Sequence, residues 1–265
     1  MKKTILFLFA LATALAPAAE KPLKLMLITG GCCHDYGVQK DLIKVGIEAR
    51  LNAVVTQVHT DDKSTKPPLP ILGDPEYAKD YDLVIHDQCA AGIGDVKLIE
   101  DVLKPHVDGL PAVALHCAMH SFRFGNFKQP LEVGAENGKW FEFLGLQSSG
   151  HGPRKPLDIY YVDKEHPISK GLPDWTTGDE ELYNNIMVHE GTHALAKAKQ
   201  GKNEAVVTWT NLYGPKKARV FCTTIGHFNE TVADDRYLDL VARGILWGVG
   251  KLNDDGTPAA GYGAE

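Results

Sequence analysis

The chain has 265 residues, 44% of them apolar and 23% charged, with a formal net charge of −6. That balance excludes a disordered polymer. The lack of any lysine run or basic patch argues against a nucleic-acid partner, and five cysteines are too few for a disulfide scaffold.

Lys2 and Lys3 precede an apolar run from Ile5 to Leu15, then Ala16-Pro17-Ala18-Ala19. This order predicts a secretory signal peptide over residues 1–19, cut near Ala18 or Ala19, and a secreted or periplasmic protein. The run is short for a membrane span, a retained anchor being the alternative, and no other segment is apolar enough to cross a bilayer. Residues 20–250 read as one α/β domain and residues 251–265 as a flexible tail.

Leu25 to Thr29 is a buried strand, followed by a tight loop, Gly30-Gly31-Cys32-Cys33-His34-Asp35-Tyr36, whose glycines allow close backbone approach. Val38, Leu42, Val45 and Ala49 predict a helix to Leu51, and Ala53 to Val58 a second strand. The Pro-rich stretch from Asp61 to Asp80 reads as a surface connection. Tyr81 to Ile85 is a third strand, ending in His86-Asp87-Gln88-Cys89. Asp95 is placed to cap a helix that Pro105 should kink or end.

Ala112 to Leu115 is a short apolar strand that stops at His116-Cys117-Ala118-Met119-His120-Ser121. Packing accounts for the apolar part and not for the histidines. Further on, Trp140, Phe141, Phe143 and Leu144 form an apolar cluster, and Leu157 to Val162 alternates as a strand. Gly178-Asp179-Glu180-Glu181-Leu182-Tyr183 reads as an acidic loop. Ala205–Thr208 and Arg219–Thr224 are late strands, the second leading to Gly226-His227, and Leu238, Val241, Ala242, Ile245 and Val249 mark a last helix.

Strands alternating with helices predict an α/β fold, a largely parallel sheet covered by helices on both faces. Right-handed crossovers then bring the loops after the first, third and fourth strands to one crevice. Of the five cysteines, an odd number, Cys32 or Cys33 is open to a bridge with Cys89 or Cys117; Cys222 is the fifth.

Thr29-Gly30-Gly31 with Cys33-His34-Asp35, Leu115-His116-Cys117-Ala118-Met119-His120, Gly150-His151-Gly152, His166-Pro167-Ile168, Glu180-Glu181-Leu182-Tyr183, Gly226-His227 and Gly244-Ile245-Leu246-Trp247 occur in that order along the chain. The set resembles the ThuA-like (trehalose utilisation) family. The resemblance implies a class I glutamine amidotransferase-like fold, that is, a flavodoxin-like doubly wound, mostly parallel sheet with helices on both faces, and a link to disaccharides and their 3-keto derivatives. It also marks a departure. The superfamily's nucleophile-elbow pattern, laid on Pro111 to Ala118, puts His116 where a catalytic cysteine is usual and Cys117 one residue beyond.

A sugar site without that nucleophile points to acid–base or metal-assisted chemistry. The expected catalytic residues are His116, Glu181 and His34, and the substrate-binding set is Gly31, Cys117, His120, Tyr183 and Asp87. His34, His116, His151 and His227 are the candidate ligands of a divalent metal, zinc foremost. No nucleotide cofactor is expected. The partner is a small carbohydrate, with no membrane contact beyond the signal peptide; a homo-oligomer is left open. Two alternatives stand: a Cys117-dependent hydrolase using His151 or His227, and a non-catalytic sugar-binding module.

His189-Glu190-Gly191-Thr192-His193 matches the zinc-protease signature, which needs both histidines on one helical face. Gly191 and Thr192 disfavour a helix. The preceding apolar run favours a strand, where residues four apart are separated by about 13 Å. His59 and His106 are expected at the surface.

Overall fold

The computed structural model describes residues 20–264; the predicted signal peptide, residues 1–19, lies outside the described residues. The first half runs β1 (Leu23–Gly31), α1 (Tyr36–Glu48), β2 (Ala53–Thr60), β3 (Leu83–Cys89), α2 (Val96–Val107) and β4 (Ala112–Leu115). The second half runs α3 (Lys139–Leu144), β5 (Leu146–Tyr161), β6 (Trp175–Val188), β7 (His193–Gln200), β8 (Asn203–Tyr213), β9 (Ala218–Thr223), α4 (Asn229–Val232) and α5 (Asp235–Gly248).

All nine strands form one sheet in the order β2-β1-β3-β4-β9-β8-β7-β5-β6. From β2 to β9 every pairing is parallel, the flavodoxin order expected from the sequence. From β9 to β6 every pairing is antiparallel. This second half is an extension that alternation of strands and helices did not foretell, because its strands follow one another with no intervening helix.

The run of β1 is apolar at nearly every position because both faces are covered. Leu23, Leu25 and Leu27 pack with Ile43 and Ile47 of α1 and with Leu240 and Val241 of α5. Met26 and Ile28 point the other way, to Ile99 and Val102 of α2 and Trp140 and Phe143 of α3. Each such side chain contributes about 1.5–3 kcal/mol when fully buried.

Asp95 caps α2 as expected, accepting from the N–H groups of Lys97 at 2.9 Å and Leu98 at 3.2 Å. Pro105 does not end the helix, which runs on to Val107. His106 is buried rather than exposed. Its Nδ1 lies 2.8 Å from the Leu110 carbonyl and its Nε2 3.0 Å from His86 Nε2. Burial holds both imidazoles neutral, His106 down to about 4.

The acidic stretch from Gly178 to Tyr183 lies within β6 and is not a loop. Glu180 and Glu181 are buried, which is tolerable only because each has charged or N–H partners. The His189–His193 motif is the turn into β7, so its histidines share neither a helix nor a strand; His193 Nε2 pairs with Asp163 instead, at 2.8 Å. The tail is tied down: the Tyr262 carbonyl accepts from Asn52 N–H, and Ala264 N–H donates to Arg50. No helix among the described residues is long and apolar enough to cross a membrane.

Candidate functional site

β4 delivers the first site residue. Its parallel neighbours hold it at the centre of the sheet, and the chain turns sharply as it leaves. His116 has φ +40°, in the left-handed region that non-glycine residues rarely occupy, and opens a short 3-10 turn to His120. The turn is braced by Trp140, whose Nε1–H donates to the Ala118 carbonyl at 2.8 Å. The elbow inferred from the sequence is therefore present, with an imidazole at its apex.

His116 Nδ1 is 2.6 Å from the Thr224 carbonyl. A carbonyl only accepts, so Nδ1 carries a proton, and Nε2 faces inward. His116 Nε2 lies 3.3 Å from His227 Nδ1, 3.3 Å from Tyr183 Oη and 3.6 Å from Glu181 Oε2. The loop after β9 brings His227, whose backbone N–H donates to both oxygens of Glu180, at 2.9 and 3.1 Å. The loop after β1 brings His34, its ring centroid 4.6 Å from those of His116 and His227.

One nitrogen from each of these three imidazoles lies within 4.8 Å of the others. Two of them stay neutral far below ordinary pH. Burial, then His116 and His227, push His34 down to about 2; burial, then His116, push His227 down to about 4. His116 moves the other way: burial lowers it, but Glu181 and Glu180 outweigh that and raise it.

The antiparallel extension supplies the carboxylate. In the β5–β6 ladder Arg154 sits opposite Glu181 and His151 opposite Tyr183. Arg154 Nε–H donates to Glu181 Oε1 at 3.0 Å, and His227 Nδ1 is 3.3 Å from the same oxygen. Burial opposes ionisation of Glu181, yet His116, His227 and Arg154 together hold its carboxyl well below the usual range. His151 stands outside the imidazole trio. It is 39% exposed, its Nε2 is 3.5 Å from Glu181 Oε1, and its Nδ1 is 2.8 Å from the Gly152 carbonyl.

These groups open onto a cavity of about 480 Å³ whose wall includes His34, His120, His151, Arg154 and Glu181. His120 lies flat on Tyr183, ring centroids 4.2 Å apart, with Nε2 2.9 Å from Ser148 Oγ. Tyr183 is buried beneath it. Two residues of the expected substrate-binding set are elsewhere. Gly31 is buried and packs β1 against β3. Asp87 is buried beside Thr29, whose hydroxyl donates to it at 3.3 Å.

Burial raises Asp87 to about 8, against His116 and Thr29. Folding therefore keeps a proton that the unfolded chain releases near 3.8. The stability Asp87 contributes is full below 3.8 and falls as pH rises toward 8, by up to about 1.4 kcal/mol per pH unit. Asp87→Asn is expected to remove that slope. Urea midpoints of both proteins between pH 4 and 8 would converge at the acid end and separate at the alkaline end, the variant being the more stable.

Cys117 lines the cavity, but among the described residues no histidine hydrogen-bonds its thiol. A hydrogen bond with Cys89 and burial push it well above the ordinary thiol range. Cys89 moves down, through that bond first and then Arg123 and His116, against burial. The bridge left open to Cys89 or Cys117 is not made: Cys32 is joined to Cys33, its immediate neighbour.

Arg154, Glu180 and Arg123 belong to the site or its wall without having been foreseen, whereas Cys89 lies on the third-strand turn expected at the crevice. Arg154 sits in a Gly-Pro-Arg-Lys-Pro stretch that looks like surface, and only the β5–β6 pairing reveals it. Glu180 carried one signal, its adjacency to Glu181.

The donor chemistry suits a metal. Three imidazoles converge, two of them held neutral, and His34 Nδ1 is buried with no partner. The 3.3 Å between His116 Nε2 and His227 Nδ1 equals the ~3.3 Å separating two ligands at ~2.0–2.1 Å on a tetrahedral zinc.

No curated protein matches the chain. Among solved structures, a protein of Parabacteroides merdae described as ThuA-like aligns over 92% of this chain and 97% of its own, with 22% identity and TM-score 0.66. A second, from Bacteroides uniformis and described in the same words, covers 92% and 98% with 18% identity and TM-score 0.59. A glutamine amidotransferase of Thermotoga maritima covers 87% and 99% at 10% identity, TM-score 0.45. The α/β fold is shared with the two ThuA-like structures. With residues 36–248 matching the family model described as ThuA, trehalose utilisation, the chain belongs to that family.

Proposed function

We propose that the protein is an exported enzyme of carbohydrate catabolism that acts on a glycoside or a 3-keto-sugar. The chemistry is His/Glu acid–base catalysis assisted by a divalent metal. The observation that carries this reading is the convergence of His34, His116 and His227 on one point beside an ionised, buried Glu181. The sugar rests on the family's description, trehalose utilisation, and export on the residues 1–19 pattern.

His34, His116 and His227 would hold the metal, with zinc best suited to three imidazoles. Bound there, it would polarise a ketone or hydroxyl oxygen of the sugar. The chain's own residues do the rest. Glu181 takes up the proton, its carboxylate kept ionised and aimed by Arg154. His151, half in solvent and 3.5 Å from the same Glu181 oxygen, passes that proton to water. Tyr183, stacked beneath His120, holds the elbow imidazole through its hydroxyl, and His120 walls the cavity.

Protein purified without chelator is expected to carry about one zinc-like ion per chain by elemental analysis and to turn over a member of a 3-keto-glycoside panel. His34→Ala, His116→Ala and His227→Ala should each weaken metal binding by more than the about 10–100-fold typical of losing an outer partner, and His151→Ala should leave it intact. Failure of the wild type to retain zinc after loading would reject the metal. A sugar bound tightly and released unchanged would make this a binding module.

A further inference from the structure

One wall of the cavity is lined by sulfur that the proposed chemistry does not use. Cys32, Cys33, Cys89 and Cys117 all face it. The sheet explains why. Gly31 pairs with Cys89 across β1 and β3, so Cys32 emerges beside Cys89, while the turn after neighbouring β4 brings Cys117. The sulfurs of Cys32, Cys33 and Cys89 lie within 4.8 Å of one another, and the Cys89 and Cys32 sulfurs are 3.5 Å apart. Cys33 is exposed at the mouth; Cys89 is buried behind.

We propose that these cysteines form a thiol–disulfide exchange centre in which Cys32 is the shared sulfur, bonded in turn to Cys33 and to Cys89, so that Cys33 is a latent surface thiol. In the exchange, the Cys89 thiolate attacks Cys32 Sγ. The Cys89–Cys32 bond forms, the Cys32–Cys33 bond breaks, and Cys33 leaves with the electron pair. The proton lost by Cys89 is balanced by the one Cys33 gains from water, so no oxidant or reductant is consumed. The arrangement lets Cys89, which solvent does not reach, unmask a thiol that solvent does reach.

The ligand class for the unmasked Cys33 is a low-molecular-weight disulfide. Its thiolate attacks one sulfur of RSSR, forming Cys33–S–SR and releasing RS⁻. The site has a reason to matter to the cavity. Cys33 is held at φ +86°, a conformation that L-residues rarely adopt, and His34 is the next residue. Opening the Cys32–Cys33 ring removes the constraint that holds this backbone.

The test uses the full chain purified under non-reducing conditions and held with iodoacetamide. It is then digested without reductant and mapped by mass spectrometry. Label is expected to accumulate on Cys33 as Cys32–Cys89-linked peptides appear. In Cys89→Ser the label on Cys33 should fall to background. Cys33→Ser, mildly oxidised with a small disulfide, should trap Cys32–Cys89 in most molecules, with an unchanged circular-dichroism melt reporting an intact fold. The proposal is overturned if wild-type Cys33 stays unlabelled, or if folded Cys33→Ser keeps Cys32 and Cys89 free under that oxidant. Oxidised glutathione, supplied in place of iodoacetamide, should add its thiol to Cys33 and to no other cysteine.

Discussion

Glu181→Gln is expected to lower kcat on a 3-keto-glycoside by about 10²–10⁴, the usual contribution of a placed acid–base group. Glutamine keeps the size of the side chain and an oxygen for Arg154, 3.0 Å away in the native site. It removes the charge and the capacity to take a proton. KM should change little, because the sugar hydroxyls meet an oxygen at the same place in both proteins. Zinc content should also persist, since the three imidazoles are untouched. That pairing separates a proton-transfer role from a structural one: lost metal or a lost fold would trace the same drop in rate to collapse of the site. Acid stability offers an independent readout. Glu181 is held below its ordinary range, so the stability it contributes is present above about 4.5 and is lost as pH falls through the lower folded value. The glutamine variant should lose less stability than wild type on acidification, by urea midpoints. Equal kcat in the two proteins would remove Glu181 from the chemistry.

Gly31→Ala is expected to be the most destabilising single methyl added to the chain. A Cβ there would lie 2.2 Å from the Cys89 carbonyl oxygen and 2.9 Å from its carbon, both backbone atoms. The position also has φ +100°. Strain of about 1–3 kcal/mol adds to an overpacking cost of about 1–3 kcal/mol. A chain of this size should show a melting-point drop of roughly 5–20 °C. Gly178→Ala is the control: nothing lies within 4 Å of its Cβ position, and a neutral or slightly raised melting point is expected. Parity between the two variants would mean that β1 and β3 do not close on each other at Gly31. Because the same contact sets Cys32 beside Cys89, Gly31→Ala that still folds should also slow exchange between the two disulfide pairings.

The roles of particular residues show where reading the chain succeeds. β4 was legible to the residue, because four small apolar positions bounded by Pro111 and His116 leave no other reading. His116 was legible as an elbow residue because the turn chemistry is local. Cys117 was legible as displaced from the elbow, because one residue changes the direction of a side chain.

The failures share a cause as well. The stretch with Glu180 and Glu181 read as an acidic loop, although Glu181 was the expected catalytic carboxylate, since burying two carboxylates in sequence is costly without partners. Those partners, the His227 N–H and Arg154, come from residues 47 and 27 positions away. His106 read as surface for the same reason: its partner His86 lies on another element. Cys32 pairs with Cys33, which no spacing encodes.

The parallel half of the sheet, its helices and the histidines at its rim follow from the residues alone. Local periodicity and strand-end chemistry are properties of short segments, and short segments carry them in their own residues. Which of those histidines meet, and what faces them, is set only by the packing of distant segments. The parallel strands bring the loops that carry His34 and His227 to His116, while an antiparallel ladder in the second half puts Glu181, Arg154 and Tyr183 opposite the elbow and leaves His151 outside the trio. That outcome depends on strand register between distant segments, and a shift of one residue would turn Glu181 to the opposite face.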